Sequence, residues 1–184
     1  MKKISVVVIC IVAIVAILAI SSYNGIVSKS EAVDNALADL DVMLQRRADL
    51  IPNLVNTVKG YTSHETEIID KVTEARTKLV NANNIGEKSA ANNELSNSLN
   101  ALMVVVENYP DLKSSKNFTQ LSDELAGTEN RIAVARRDYN NAVKTFNTAI
   151  IKFPSNIFAS MFGFEKATYF EADESSTEVP SVNF

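Results

Sequence analysis

VDNALADLDVMLQRRADLIPNLVNTVKGY, residues 33–61, decides the fold of this 184-residue chain. Its seam residues are Val33, Leu37, Leu40, Leu44, Arg47, Ile51, Leu54, Val58 and Tyr61, at spacings that alternate between 4 and 3. That 3.5-residue period belongs to a helix packing one stripe against other helices. Upstream, Ile4 to Ile20 is an uncharged apolar run of 17 residues, with Tyr23 just beyond it. About 20 apolar residues cross a bilayer as a helix. The two stretches together therefore read as a transmembrane signal anchor, residues 1–23, leading directly into a helical bundle. A cleaved signal peptide is the alternative, with small residues at Ala19-Ile20-Ser21, but the run exceeds the ~7–15 residues of a signal core. Lys2 and Lys3 flank one side and Lys29 is the nearest base on the other. The positive-inside rule then tilts the reading toward a single-pass cell-membrane protein with its domain outside the cytoplasm.

Composition agrees with an all-α chain. Apolar content is 46%, enough for a core, while five Gly, four Pro and no Trp argue against a turn-rich β fold. The net charge of -4 gives no general attraction to nucleic acid or anionic lipid. Cys10 is the single cysteine, so no disulfide forms within one chain. Ile9 stands before it where a lipidation site would have a small residue.

Four long helices are expected beyond the anchor, packed as an antiparallel four-helix bundle over residues 24–153. The first runs from about Ser30 to Lys59, with a kink one turn before Pro52. The second starts near Thr62, where Thr62 and Glu65 have capping-box spacing. Its seam is Ile68, Val72, Ala75, Leu79 and Ala82, and the stretch Asn81 to Gly86 reads as its end and a turn. The third carries Leu95, Leu99, Leu102, Val106 and Tyr109 on one face and stops at Pro110. The fourth is the longest, capped by Ser114 or Ser115. Its seam is Phe118, Leu121, Leu125, Thr128, Ile132, Ala135, Tyr139, Ala142, Phe146, Ala149 and Phe153, spaced 3 and 4 throughout. Residues 154–170 form an aromatic segment that packs on the bundle or the membrane surface. Residues 171–184 are acidic, with four acids and no base between Glu171 and Glu178, and read as a disordered tail.

Catalytic chemistry finds no footing. His64 is the only histidine. Beside Glu65 near a helix start it reads as a solvated residue, and the second histidine of a zinc-protease helix would fall where Ile68 stands. A di-iron bundle needs two Glu-x-x-His units, and no glycine-rich phosphate loop is present. No catalytic residue, cofactor or metal is therefore expected, and the chain reads as a non-enzyme.

Charges on the seams are more informative, because a buried charge is costly unless paired. Arg47 holds a seam place between Leu44 and Ile51, Thr128 holds one on the long helix, and Glu129 and Glu107 lie nearby. A partly buried polar layer of Arg46 or Arg47 with Glu129 or Glu107 follows. It fixes register in the structural reading and holds a ligand in the other. Arg131, Arg136 and Arg137 form a basic strip for an anionic partner or a solvated face. Asn117-Phe118-Thr119 matches a glycosylation sequon, but Phe118 reads as core. In an up-down-up-down bundle the fourth helix returns to the membrane, so Phe158, Phe162, Phe164 and Phe170 cap the core or meet the membrane or another membrane protein.

Several blocks together resemble the LemA family. They are Val33-Asp34-Asn35-Ala36, Leu40-Asp41-Val42, Gln45 to Val55, Val58-Lys59-Gly60-Tyr61, His64-Glu65, Tyr109-Pro110-Asp111-Leu112-Lys113, Asn117-Phe118, Gly127 to Asn140, Phe153-Pro154 and Phe162-Gly163-Phe164. They keep the family's order over about residues 23–170. The resemblance implies one N-terminal span, a long-helix bundle and no established enzymatic activity. It suggests an adaptor or scaffold in the bacterial envelope. The function expected is protein–protein contact with another envelope or membrane protein, without nucleic acid and with homo-oligomerisation left open. The alternative is a sensor or small-ligand-binding module at the Arg/Glu layer.

Overall fold

The computed structural model describes residues 2–62 and 65–171. His64 and the acidic stretch beyond Glu171 lie outside the described residues. Six helices are present among the described residues: α1 (Lys2–Lys59), α2 (Thr66–Asn81), α3 (Ile85–Val106), α4 (Pro110–Lys113), α5 (Lys116–Ile151) and α6 (Ser155–Met161). No strand occurs among them.

α1 runs without a break from the apolar run into the heptad stretch. Between them Gly25 is the poorest helix former, and no proline stands there to end the helix. The run is long and apolar enough to cross a membrane, and none of its most apolar window is buried within the protein. α1 also continues through Pro52. Proline has no N–H, so the carbonyl of Ala48 loses its usual donor four residues on. Arg76 on α2 supplies the replacement: its Nε donates to the Ala48 carbonyl at 3.0 Å. Ala48 is buried, so the repair matters.

The helix ends are set locally. Thr62 does not cap α2. Its N–H and its Oγ1 both donate back to the Val58 carbonyl, at 3.1 Å each, and close α1 instead. α2 starts at Thr66, and Glu65 at its cap position makes no side-chain cap. α3 is capped reciprocally. Asn84 Oδ1 accepts from the Glu87 N–H at 2.9 Å, and Glu87 Oε2 accepts from the Asn83 N–H at 2.8 Å. Gly86 thus lies inside α3 rather than in the turn. Pro110 opens α4 at its first position, a place that needs no N–H. Ser115 Oγ accepts from the Phe118 N–H at 3.3 Å and starts α5.

The described residues form two compact units, one within 1–37 and 138–168, the other within 38–137 and 169–184. α1 and α5 each contribute to both. These units cut across the segment 24–153 read from the sequence as one bundle. The larger unit buries Leu40, Leu44, Ile51, Leu54 and Val58 of α1 with Val72, Ala75 and Leu79 of α2. Leu95, Leu99 and Leu102 of α3, Leu112 of α4, Phe118, Leu125 and Ile132 of α5, and Phe170 complete its core. Each large apolar side chain buried in this way contributes about 1.5–3 kcal/mol.

The smaller unit buries Ile26 and Val33 of α1, Tyr139, Val143, Phe146 and Ile150 of α5, and Ala159 of α6. Residues 164–168 lie along α5. Asn147 Nδ2 donates to the Ala167 carbonyl at 2.9 Å, and Asn147 Oδ1 accepts from the Ala167 N–H at 2.8 Å. The Tyr139 hydroxyl donates to the Thr168 carbonyl at 2.8 Å. Val143, Asn147 and Ile150, a row of α5 outside the expected seam, are buried. Several expected seam residues are only half-buried, Leu37, Ile68 and Leu121 among them, and two are exposed. Tyr61, beyond the end of α1, is exposed, and Phe153, beyond α5, is 81% exposed.

Candidate functional site

Within the larger unit Arg47 is 4% exposed. Its Nη1 donates to Asn92 Oδ1 on α3 at 2.7 Å and pairs with Glu129 Oε2 on α5 at 2.8 Å. Asn92 is itself buried, while Glu129 keeps about half its side chain in solvent. Burial pulls the Arg47 guanidinium below its ordinary pKa, and the Glu129 charge opposes that pull. The Nε of Arg47 is buried with no partner. A guanidinium stays charged at any working pH, so the layer can orient and bind but cannot relay protons.

Other residues expected in the layer are placed elsewhere. Thr128 is buried, and its Oγ1 donates to the Glu124 carbonyl one turn back at 2.8 Å, so it satisfies itself within α5. Glu107 is not in the layer. It follows the end of α3, is exposed, and accepts from Lys113 Nζ at 2.6 Å. Arg46 is also exposed, since one residue along a helix turns a side chain by about 100°. Asn92 had escaped the sequence reading. Running the α3 seam upstream from Leu95 by 3 and then 4 reaches Asn92 and Lys88, and Lys88 Nζ pairs with Asp41 on α1 at 2.7 Å.

An open groove of about 650 Å³ lies beside this layer, lined by Arg46, Lys116, Thr119, Gln120, Asp123, Glu124, Gly127 and Arg131. Arg46, Lys116 and Arg131 are exposed and form no ion pair among the described residues. A side chain added at Gly127 would meet nothing within 4 Å. Of the predicted basic strip only Arg131 lines the groove. Arg136 is half-buried and Arg137 exposed, and neither lines it.

The aromatic candidates separate. Phe170 is 2% exposed in the core of the larger unit and offers no surface. Its neighbour Glu171 accepts from Ser89 Oγ through its carbonyl at 2.8 Å. Phe158 and Phe164 are half-buried and Phe162 is exposed. In the smaller unit Tyr23 meets Phe162 edge-on at 4.9 Å between ring centroids, and Phe164 at 6.0 Å. Phe164 in turn meets Phe146 at 6.4 Å. No group of three or more His, Cys, Asp or Glu able to hold a metal occurs among the described residues.

Comparison with known proteins gives this arrangement a family. Magnetosome protein MamQ 2 of Paramagnetospirillum magneticum is 31% identical over 175 residues, covering 81% of this chain. Magnetosome protein MamQ of Magnetospirillum gryphiswaldense is 28% identical over 174 residues, covering 80% of this chain. The chain spans 64% of the length of each of these two relatives. Protein LemA of Metamycoplasma hominis is 29% identical over 155 residues, which cover 82% of this chain and 69% of that protein. The LemA family model matches residues 36–184, the heptad half of α1 and everything after it, and the chain belongs to the LemA family.

Proposed function

We propose that this chain is a membrane-anchored, non-catalytic adaptor that acts by protein–protein contact at the cell envelope, with its helical domain outside the cytoplasm. The observation that carries the reading is the open groove in which three exposed bases without ion pairs among the described residues, Arg46, Lys116 and Arg131, outnumber the two acids, Asp123 and Glu124. The partner surface it suits is acidic. The apolar start of α1 supplies the anchor.

The domain we assign to this role is an antiparallel four-helix bundle of α1, α2, α3 and α5. Within the larger unit, Asp41–Lys88 and Arg47–Asn92 ascend together, as parallel α1 and α3 would. Arg47–Glu129, with Asn53 and Thr57 lining one pocket beside Asn117 and Leu121, runs the opposite way for α1 and α5.

The test places a photoreactive residue at position 127, where there is room for it, and crosslinks in intact cells. A discrete protein adduct that disappears with R46E/R131E is expected. Adducts confined to lipid or to the chain itself would reject the adaptor. A second reading, a small-ligand sensor at the Arg47 layer, is favoured only by the unpartnered Arg47 Nε. It predicts a rise in melting temperature with a small acidic metabolite, lost in R47M.

A further inference from the structure

A second basic groove lies in the smaller unit. Lys29 of α1, Lys144 of α5 and Lys152 just past the end of α5 line it with Asn141, Thr145 and Thr148, and no carboxylate does. None of the three lysines forms an ion pair among the described residues. The net charge of -4 hides this local reversal.

The height of the groove along α1 is informative. Lys29 turns back, its Nζ donating to the Gly25 carbonyl at 3.2 Å. Gly25 is five residues past Ile20, about 8 Å along the helix. The headgroup layer adds about 5–8 Å to each side of the hydrocarbon core. The Lys29 ammonium therefore sits at headgroup depth if Ile20 ends the span. Tyr23 lies within that layer, and its edge-on contact with Phe162 brings the end of α6 to the same level. In the chain leading to that end, Phe153, Ile157 and Met161 are 81%, 56% and 63% exposed. Ile157 and Met161 share one face of α6, four residues apart. Exposed apolar side chains together with ammonium groups that have no ion pair among the described residues match an interface where acyl chains meet phosphates.

We propose that the smaller unit is a lipid-binding foot: Lys29, Lys144 and Lys152 hold the phosphate of an anionic phospholipid while Phe153, Ile157 and Met161 enter the acyl boundary. The proposal rests on the reading of α1 as a membrane anchor and is independent of the adaptor groove.

The test uses the full chain in nanodiscs of mixed phosphatidylcholine and phosphatidylglycerol, with bound lipid read by native mass spectrometry. Phosphatidylglycerol is expected to be enriched on the protein, and K29Q/K144Q/K152Q is expected to lower the enrichment by about fivefold per lysine. Equal enrichment in both proteins would overturn the site. So would erasure of the enrichment by millimolar inorganic phosphate at constant ionic strength, since the groove would then serve a free anion. A spin label at I157C in a C10S background gives a second readout, with oxygen expected to quench it and a water-soluble nickel chelate expected not to. Quenching by the chelate would place the face in water, and protection from both would place a protein against it; either result rejects the foot. A chain that fails to stay in nanodiscs would remove the anchor as well, whereas a retained but lipid-indifferent chain would remove only this inference.

Discussion

At the residue scale, Arg47 shows what a seam position can reveal. A charge in a heptad seam needs a partner, so a polar layer was legible in the sequence, but which of Arg46 and Arg47 met which of Glu129 and Glu107 was not; the fold pairs Arg47 with Glu129. Glu107 was misread because its distance in sequence from Tyr109 says nothing about where α3 ends; beyond Val106 its side chain faces solvent and Lys113. Asn92 was missed because the α3 seam was started one step late, at Leu95. Its role has an energetic consequence. In R47M the guanidinium leaves without cost to apolar packing, but the buried Asn92 amide oxygen loses its donor, which costs about 1–3 kcal/mol. R47M is expected to melt lower by several degrees, about 2–4 °C per kcal/mol at this chain length. R47M/N92L, with neither partner present, is expected to recover most of the loss, because an apolar replacement of a whole buried polar pair is often neutral. Melting curves of the full chain by circular dichroism decide it; a stable R47M single variant would mean that Asn92 finds water.

At the element scale, the helices were legible from their periods and their ends were not. Thr62 and Glu65 have capping-box spacing, yet the chain spends Thr62 on closing α1 at Val58, and α2 starts four residues later. Spacing alone cannot tell which of two helices a threonine between them will serve. Pro52 poses the same difficulty inside α1: the sequence shows the missing donor, and only the fold shows Arg76 replacing it on the buried Ala48 carbonyl. Removing that donor by R76M is expected to cost about 1–3 kcal/mol. In a P52A background, where residue 52 again donates to Ala48, the same substitution is expected to cost well under half as much. A double-mutant cycle by thermal melting measures the difference, and additive costs would show that Arg76 acts through other contacts. Glu65 serves an element junction too. It accepts from the Tyr109 hydroxyl at 2.8 Å, tying the start of α2 to the segment between α3 and α4. That hydrogen bond, then desolvation and the Glu65 charge, raise the Tyr109 pKa above its ordinary value. The folded state then holds the phenolic proton more tightly than the unfolded state. The contribution to stability is present below the unfolded pKa and is lost as pH rises through the folded one. Ultraviolet titration of the chain against Y109F is expected to show Tyr109 ionising after an ordinary tyrosine, and E65A is expected to bring it back; no change in E65A would remove Glu65 as the cause.

At the scale of the whole molecule, the all-helical architecture and the apolar start of α1 were written in the sequence, because long 3.5-residue periods have no competing fold. The part that was hidden is what residues 162–171 do. They have no period, since they form no helix; their order comes from side chains of α5 and α3 bonding to their backbone. Asn147 pairs with both the N–H and the carbonyl of Ala167, much as a neighbouring strand would, and Ser89 holds the Glu171 carbonyl. Composition could group the aromatics but could not sort them, because Phe162 and Phe170 differ only in what the chain folds over them. Their energetic weights should therefore differ sharply. Phe170 is 2% exposed, and truncating a buried Phe to Ala costs about 3–5 kcal/mol. Phe162 is 46% exposed and is held mainly by the ring of Tyr23, a contact of about 0.5–1.5 kcal/mol. F170A is expected to lower the melting temperature of the full chain by roughly 10 °C and F162A by only a few degrees. If the two losses were equal, Phe162 would be as much a part of the core as Phe170, and the closing segment would have to be treated as one continuous aromatic plug rather than a buried anchor and a separate exposed edge near the end of the apolar run.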